Sequence, residues 1–122
     1  MKQEDKDLLL RDLCARLPYG VKVASVFINP DTKEHKSCGI EVFNATSLLM
    51  IRDGLGEFKP YLFPLSSMKA KHRAELFNIR TPIEDGFQDT LCEIDFYHKN
   101  HFDYRGLIEK SLAIDATGLN IY

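Results

Sequence analysis

Tryptophan is absent from this chain, and so is any long apolar run. No segment approaches the ~20 apolar residues that a membrane-spanning helix needs. The start is charged from Lys2 to Asp7 and lacks the apolar stretch of a secretory signal. Both absences point to a cytoplasmic protein with no membrane partner. Cysteine is scarce: Cys14, Cys38 and Cys92 are an odd number, far apart, with no pair at zinc-ligand spacing. The expectation is three buried, reduced thiols. Charge of one sign is nearly balanced by the other, with a net charge of −2 at pH 7. There is no global pull toward nucleic acid or anionic membrane, so such a partner must be read by a local patch.

Catalytic signatures are missing too. The sequence contains no Gly-x-Ser-x-Gly elbow and no His-Glu-x-x-His. Gly54-Leu55-Gly56 has neither the Lys-Ser/Thr of a phosphate-binding loop nor a helix after it, and reads as a turn. Cys14 falls on the apolar stripe of its helix, where a thiol is buried rather than activated. No catalytic residue and no cofactor is assigned, and an enzyme is the minority reading.

What is present fits one domain over residues 1–122, 44% hydrophobic and 28% charged. Glu4 to Leu17 is a helix, with Leu10, Leu13, Cys14 and Leu17 on one apolar stripe. Its i,i+4 pairs Asp7–Arg11 and Asp12–Arg16 are worth ~0.3 kcal/mol each at a surface. Val21 to Ile28 reads as a strand whose apolar phase switches between Val23 and Val26, the mark of a bulge or of burial on both faces. Cys38–Phe43, Ser47–Arg52 and Phe58–Phe63 read as three more strands, with Pro60 confining the last to an edge or a bulge. The fold class is α+β: a four-stranded antiparallel meander over about residues 21–63, flanked by the N-terminal helix and two or three C-terminal helices. An open sheet is preferred to an SH3-like barrel because four helical segments can cover it.

The C-terminal helices begin after Ser66-Ser67, one of which caps a helix running to about Ile79. A second starts at an Asp85 capping box and carries Phe87, Leu91, Ile94 and His98 on one face, with Asn100 as its left-handed stop. Asp103 caps a short third, with Tyr104, Leu107, Ile108 and Leu112 as its apolar face. The terminus, closing on Leu119, Ile121 and Tyr122, docks rather than frays.

Two constellations carry candidate chemistry. Lys69, Lys71, His72 and Arg73 open the first C-terminal helix, beside free N–H groups, which is how an anion or phosphate site is assembled. Tyr61 and Phe63 nearby can stack on bases if exposed. The acidic run Glu84, Asp85, Asp89, Glu93, Asp95 and Asp103 offers those cations an intramolecular partner instead, or one across a homo-oligomer. The other constellation is Asp95, His98, His101 and Asp103, whose imidazoles and carboxylates have zinc-binding or general-base chemistry but straddle a helix end.

Three stretches also resemble a known family: Leu13-Cys14-Ala15-Arg16-Leu17-Pro18-Tyr19-Gly20-Val21-Lys22-Val23, Lys59 through Met68, and Asn100-His101-Phe102-Asp103-Tyr104-Arg105-Gly106-Leu107 through Tyr122. The family is one of small uncharacterised proteins from gut Bacteroides-type bacteria, often carried on prophages and other mobile elements. Its members usually carry glycine where this chain has Ser111, so the last helix here need not turn or stop at the same place. The resemblance implies a cytoplasmic protein linked to a mobile element, and no activity. The leading expectation is therefore a non-enzymatic interaction module acting through a protein partner or self-association. A weak nucleic-acid-binding accessory protein using Lys69, Lys71 and Arg73 is the alternative, and a hydrolase or metalloenzyme is third.

Overall fold

The computed structural model describes residues 2–80 and 86–122, with residues 86–91 described for the backbone alone. The sheet grows from β1 (Lys22–Ile28), which pairs antiparallel with β2 (His35–Val42) on one side and with β3 (Gly56–Pro64) on the other. The β1–β2 register shifts at Ser25/Val26, where Gly39 takes φ 81 and Cys38 is the extra residue, so the phase switch in the sequence is a β-bulge. β3 also takes two short parallel partners on opposite edges: β5 (Ile114–Asp115) on the edge away from β1, through Leu62, and β4 (Phe102–Asp103) beyond the start of β1, through Phe63. The sheet is thus mixed and open, not a purely antiparallel meander.

One expected strand is a helix. Ser47–Arg52 lies within α2 (Ala45–Arg52), and the reason is local. The Asn44 side chain accepts from the Ser47 N–H while the Ser47 hydroxyl accepts from the Asn44 N–H, a reciprocal cap that commits the apolar run to a helix. Gly54 (φ 72) then ends α2, so Gly54-Leu55-Gly56 joins a helix to β3 and is not a hairpin turn. Pro60 pairs with Val23, and β5 starts only at Tyr61, so the proline sits where β3 is locally an edge.

α1 (Gln3–Arg16) forms as expected, but its buried face is rotated. Leu9, Asp12, Leu13 and Arg16 are buried, whereas Cys14 and Leu10 are exposed. The pair Asp12–Arg16 therefore lies inside the fold. Cys38 and Cys92 are exposed as well, so the expectation of buried thiols is overturned at all three positions. α1 adds Leu9 and Leu13 to a core of Val21, Val23, Phe43, Phe58 and Leu62 that Leu107, Leu112 and Ala113 complete.

The C-terminal helices are α3 (Ala70–Arg80) and α4 (Gly86–Lys99). Leu76, Phe96, Tyr97 and Phe102 make a second core between them and β4. The Asp85 cap and the Phe87 and Leu91 side chains lie outside the described residues. Of the expected α4 stripe, His98 is buried and Ile94 is largely exposed, since Phe96 and Tyr97 take the inner face. The left-handed stop is His101 (φ 60), not Asn100.

No third C-terminal helix follows. The Asp103 carboxylate accepts the Leu107 and Ile108 N–H groups at 3.0 Å each, which holds a series of turns instead. Ser111 lies in those turns with φ 61, a left-handed backbone that glycine adopts without Cβ strain. We expect Ser111→Gly to raise stability by roughly 0.5–1 kcal/mol after the greater unfolded-state entropy of glycine is counted. A lower urea midpoint for the variant would contradict this.

Candidate functional site

The junction between β3 and α3 positions the cationic run. A 3-10 turn at Leu65–Ser67 follows β3, and the Ser67 hydroxyl donates to the Pro64 carbonyl at 2.7 Å rather than capping α3. The cap is supplied by His72, whose Nδ1 accepts the Lys69 N–H at 3.2 Å. His72 is fixed there by edge-on contact with the Phe102 ring, centroids 5.1 Å apart. Burial, with Lys71 and Lys69 close by, holds its pKa below the usual value, so the ring acts as a neutral acceptor.

Lys69, Lys71 and His72 line one wall of a cleft of about 460 Å³. Lys99, Asn100 and His101 at the end of α4 line another, and the C-terminal tail from Ala116 to Tyr122 closes it. No carboxylate side chain is among the lining residues. Glu75 sits just outside and holds the Lys99 ammonium at 2.9 Å. Lys69, Lys71 and Arg73 are exposed, and no ion pair joins any of them to a carboxylate among the described residues.

The tail is held by its last residue. The Tyr122 hydroxyl accepts the Lys22 N–H at 2.8 Å and donates to the Tyr61 carbonyl at 2.8 Å. Burial of that hydroxyl pushes its pKa up to about 12. His101 stacks on the Tyr122 ring at 3.7 Å between centroids. Its pKa is pushed down to about 4, by burial first and then by the positive charges of Arg16 and Lys22. His101 Nδ1 is buried without a hydrogen-bond partner.

Behind the cleft floor runs a buried polar chain. Arg16, fully buried, donates from Nε to Asp12 at 2.8 Å and from Nη2 to the Phe102 carbonyl at 2.6 Å, while its Nη1 has no partner. Arg105 approaches the other Asp12 oxygen at 3.2 Å. Burial raises the Asp12 pKa against the pull of both guanidinium groups. Arg105 also donates to the Tyr104 hydroxyl at 3.0 Å, and that hydroxyl lies 2.7 Å from His98 Nε2. With its pKa pushed down to about 4, chiefly by burial, His98 is neutral and shares a hydrogen bond with Tyr104 through Nε2.

The two sequence constellations are thus redistributed. Lys69, Lys71 and His72 share the cleft with His101, while Arg73 lies outside its lining. His98 belongs to the buried chain, Asp103 is used by backbone N–H groups, and the Asp95 carboxylate accepts from the Tyr19 hydroxyl. The four residues of the second constellation do not form one ligand set, and no metal-binding cluster occurs among the described residues. Among the described residues α3 and α4 are joined by Arg80–Glu93 and, with acid and base exchanged between the helices, by Lys99–Glu75; no described pair joins Lys69, Lys71 or Arg73 to the acidic run. Of the acidic run, Glu84 and Asp85 and the Asp89 side chain lie outside the described residues.

Reading the sequence missed Lys99, Asn100 and the tail as cleft residues. Their only advance signal was the terminal Leu-Asn-Ile-Tyr, which read as docked without showing where. No family model, curated protein or solved structure matches the chain. No described helix is long and apolar enough to cross a membrane.

Proposed function

We propose that this protein is a non-enzymatic binding module whose ligand presents an anionic group to the cleft between α3, the end of α4 and the C-terminal tail. One observation carries the reading: among the described residues no carboxylate pairs with Lys69 or Lys71, and no acid side chain lines the cleft. The start of α3 at the same wall adds the positive end of its dipole. The neutral histidines add hydrogen-bonding groups rather than charge.

Calorimetric titration with pyrophosphate tests it. Binding is expected, and K69M/K71M should weaken it at least tenfold, whereas K33M/K36M on the distant β1–β2 hairpin should leave it unchanged. Equal loss in both variants would reduce the effect to net charge and remove the site. Because lysines supply the charge, affinity for a phosphate monoester should rise between pH 5.5 and 7 as its second proton leaves near pH ~6. Affinity that falls as pH rises through this range would place the charge on histidine and reject the lysine site.

A protein partner or second copy is the reading favoured by a different observation. All eight residues of β2 are exposed, with Ile40 and Val42 on one face of an open edge strand. Such an edge invites a further strand, although the bulge at Cys38–Gly39 interrupts it. Light scattering across a hundredfold concentration range should show association that Ile40→Lys abolishes, and a monomer throughout removes the self-association reading. Nucleic-acid binding through Lys69, Lys71 and Arg73 has less support, since the Phe63 ring is already packed against Phe102 and Tyr122. With three cations, its log K against log salt slope for a single strand would be about −2.

A further inference from the structure

The cleft holds more than an anion requires, and its other walls have a definite chemistry. At about 460 Å³ it falls within the range of small-molecule sites, about 300–1,000 Å³. The charge at its mouth is specific in amount. Lys99 is compensated by Glu75 and the histidines are neutral, which leaves Lys69 and Lys71 to face the ligand. Two uncompensated cations match a dianion such as a phosphate monoester better than a single carboxylate. From beneath, the fully buried Arg16 adds a positive field that reaches both His101 and Tyr122.

Away from the lysines, the lining has unused acceptors. One Asn100 amide N–H is used on the Phe96 carbonyl, which leaves its oxygen and a second N–H without a partner among the described residues. The Ser67 and Thr117 hydroxyls donate to Pro64 and Asp115, so their lone pairs are what the cleft sees. Acceptors of this kind call for hydroxyl donors on the ligand. One face of the Tyr122 ring is already taken by His101, and Lys22 Nζ lies 5.6 Å from its centroid.

We propose that the cleft binds a phosphorylated, polyhydroxylated small molecule of the sugar-phosphate class. The phosphate monoester lies between Lys69 and Lys71, and the hydroxyls bond to Ser67, Asn100 and Thr117. This inference rests on the anion reading above and adds the body of the ligand to it.

The test titrates the intact protein with inorganic phosphate, pyrophosphate, ribose 5-phosphate, ribose and adenosine monophosphate. Ribose 5-phosphate should bind at least tenfold more tightly than inorganic phosphate, and ribose alone should not bind. Thr117→Val, at an exposed position, should cost the sugar phosphate about fivefold and inorganic phosphate nothing. Asn100→Ala should do the same, with circular dichroism checking that α4 keeps its end. If inorganic phosphate or pyrophosphate binds as tightly as ribose 5-phosphate, the hydroxyl contacts are refuted and the anion site stands. Tighter binding of adenosine monophosphate than of ribose 5-phosphate would replace the polyhydroxylated body with a base. Failure of every anion to bind overturns both this inference and the reading beneath it.

Discussion

Arg16→Met should lower the free energy of unfolding by about 3–5 kcal/mol, the cost of stranding one partner of a buried ion pair. Methionine fills much of the same volume, so the loss is electrostatic rather than a cavity. Asp12, itself fully buried, would keep only Arg105 at 3.2 Å, and the Phe102 carbonyl would lose its 2.6 Å donor. The damage also reaches the cleft, since Phe102 carries β4 and packs against His72. Urea denaturation at pH 7 measures it. Asp12→Leu in the same chain should restore part of the loss by removing the stranded carboxylate. A single-variant cost below about 1 kcal/mol would mean that Asp12 and Arg16 behave as an exposed pair.

The second large effect is on acid stability. His98 has a folded pKa near 4 against an ordinary value of 6.5, and its neutral ring is hydrogen-bonded to Tyr104. A histidine with a depressed pKa gains a proton in the unfolded chain before it does so in the fold. Its contribution is therefore complete above pH ~6.5, falls as pH drops, and is gone near pH ~4. At 1.36 kcal/mol for each pH unit this amounts to about 3 kcal/mol. His101 works in the same direction over the same window. Asp12, raised by burial, works in the opposite direction above its ordinary value of 3.8, and Glu93, held low by Arg80, loses its contribution as pH falls below 4.5. His98→Gln retains a hydrogen-bonding group for Tyr104 but cannot titrate, so the slope between pH 6.5 and 4.5 should fall by about half. A wild-type stability that stays flat from pH 7 to 4.5 would refute the assignment.

Legibility in the sequence followed locality. α1 and β1 were readable because propensity, charge order and apolar spacing agree over their whole length. Even the bulge announced itself, as a change of phase inside β1. Apolarity alone, however, cannot tell a short strand from a short helix. At residues 47–52 the decision rests with the reciprocal cap of Asn44 and Ser47, and Ser47 reads as the start of a strand until that cap is seen. The face of α1 was misread for a different reason. Periodicity assigns apolar residues to the interior, and it cannot see the Phe102 carbonyl and Arg105, which arrive from some 90 positions away and make room for Arg16 and Asp12.

The cleft shows the same division. Lys69, Lys71 and His72 stood out as cations at a helix start, where their charge opposes the dipole. Their surroundings depend on where α4 ends and where the tail lies, and both are long-range facts. The carboxylates of the acidic run suggested neutralisation that the described pairs assign to other cations.

The position of β3 has a consequence for how the chain is made. Its antiparallel side is completed by β1, and both belong to the first 64 residues. Its other side waits for β5, which begins at Ile114, and its Phe63–Pro64 end waits for β4. During synthesis from the N-terminus, Leu62 and the β3 edge from Tyr61 onward remain uncovered until nearly the whole chain has left the ribosome. The last twenty residues therefore act as a late latch, and a polypeptide interrupted before Leu107 would expose a ready-made strand edge above an unfinished core.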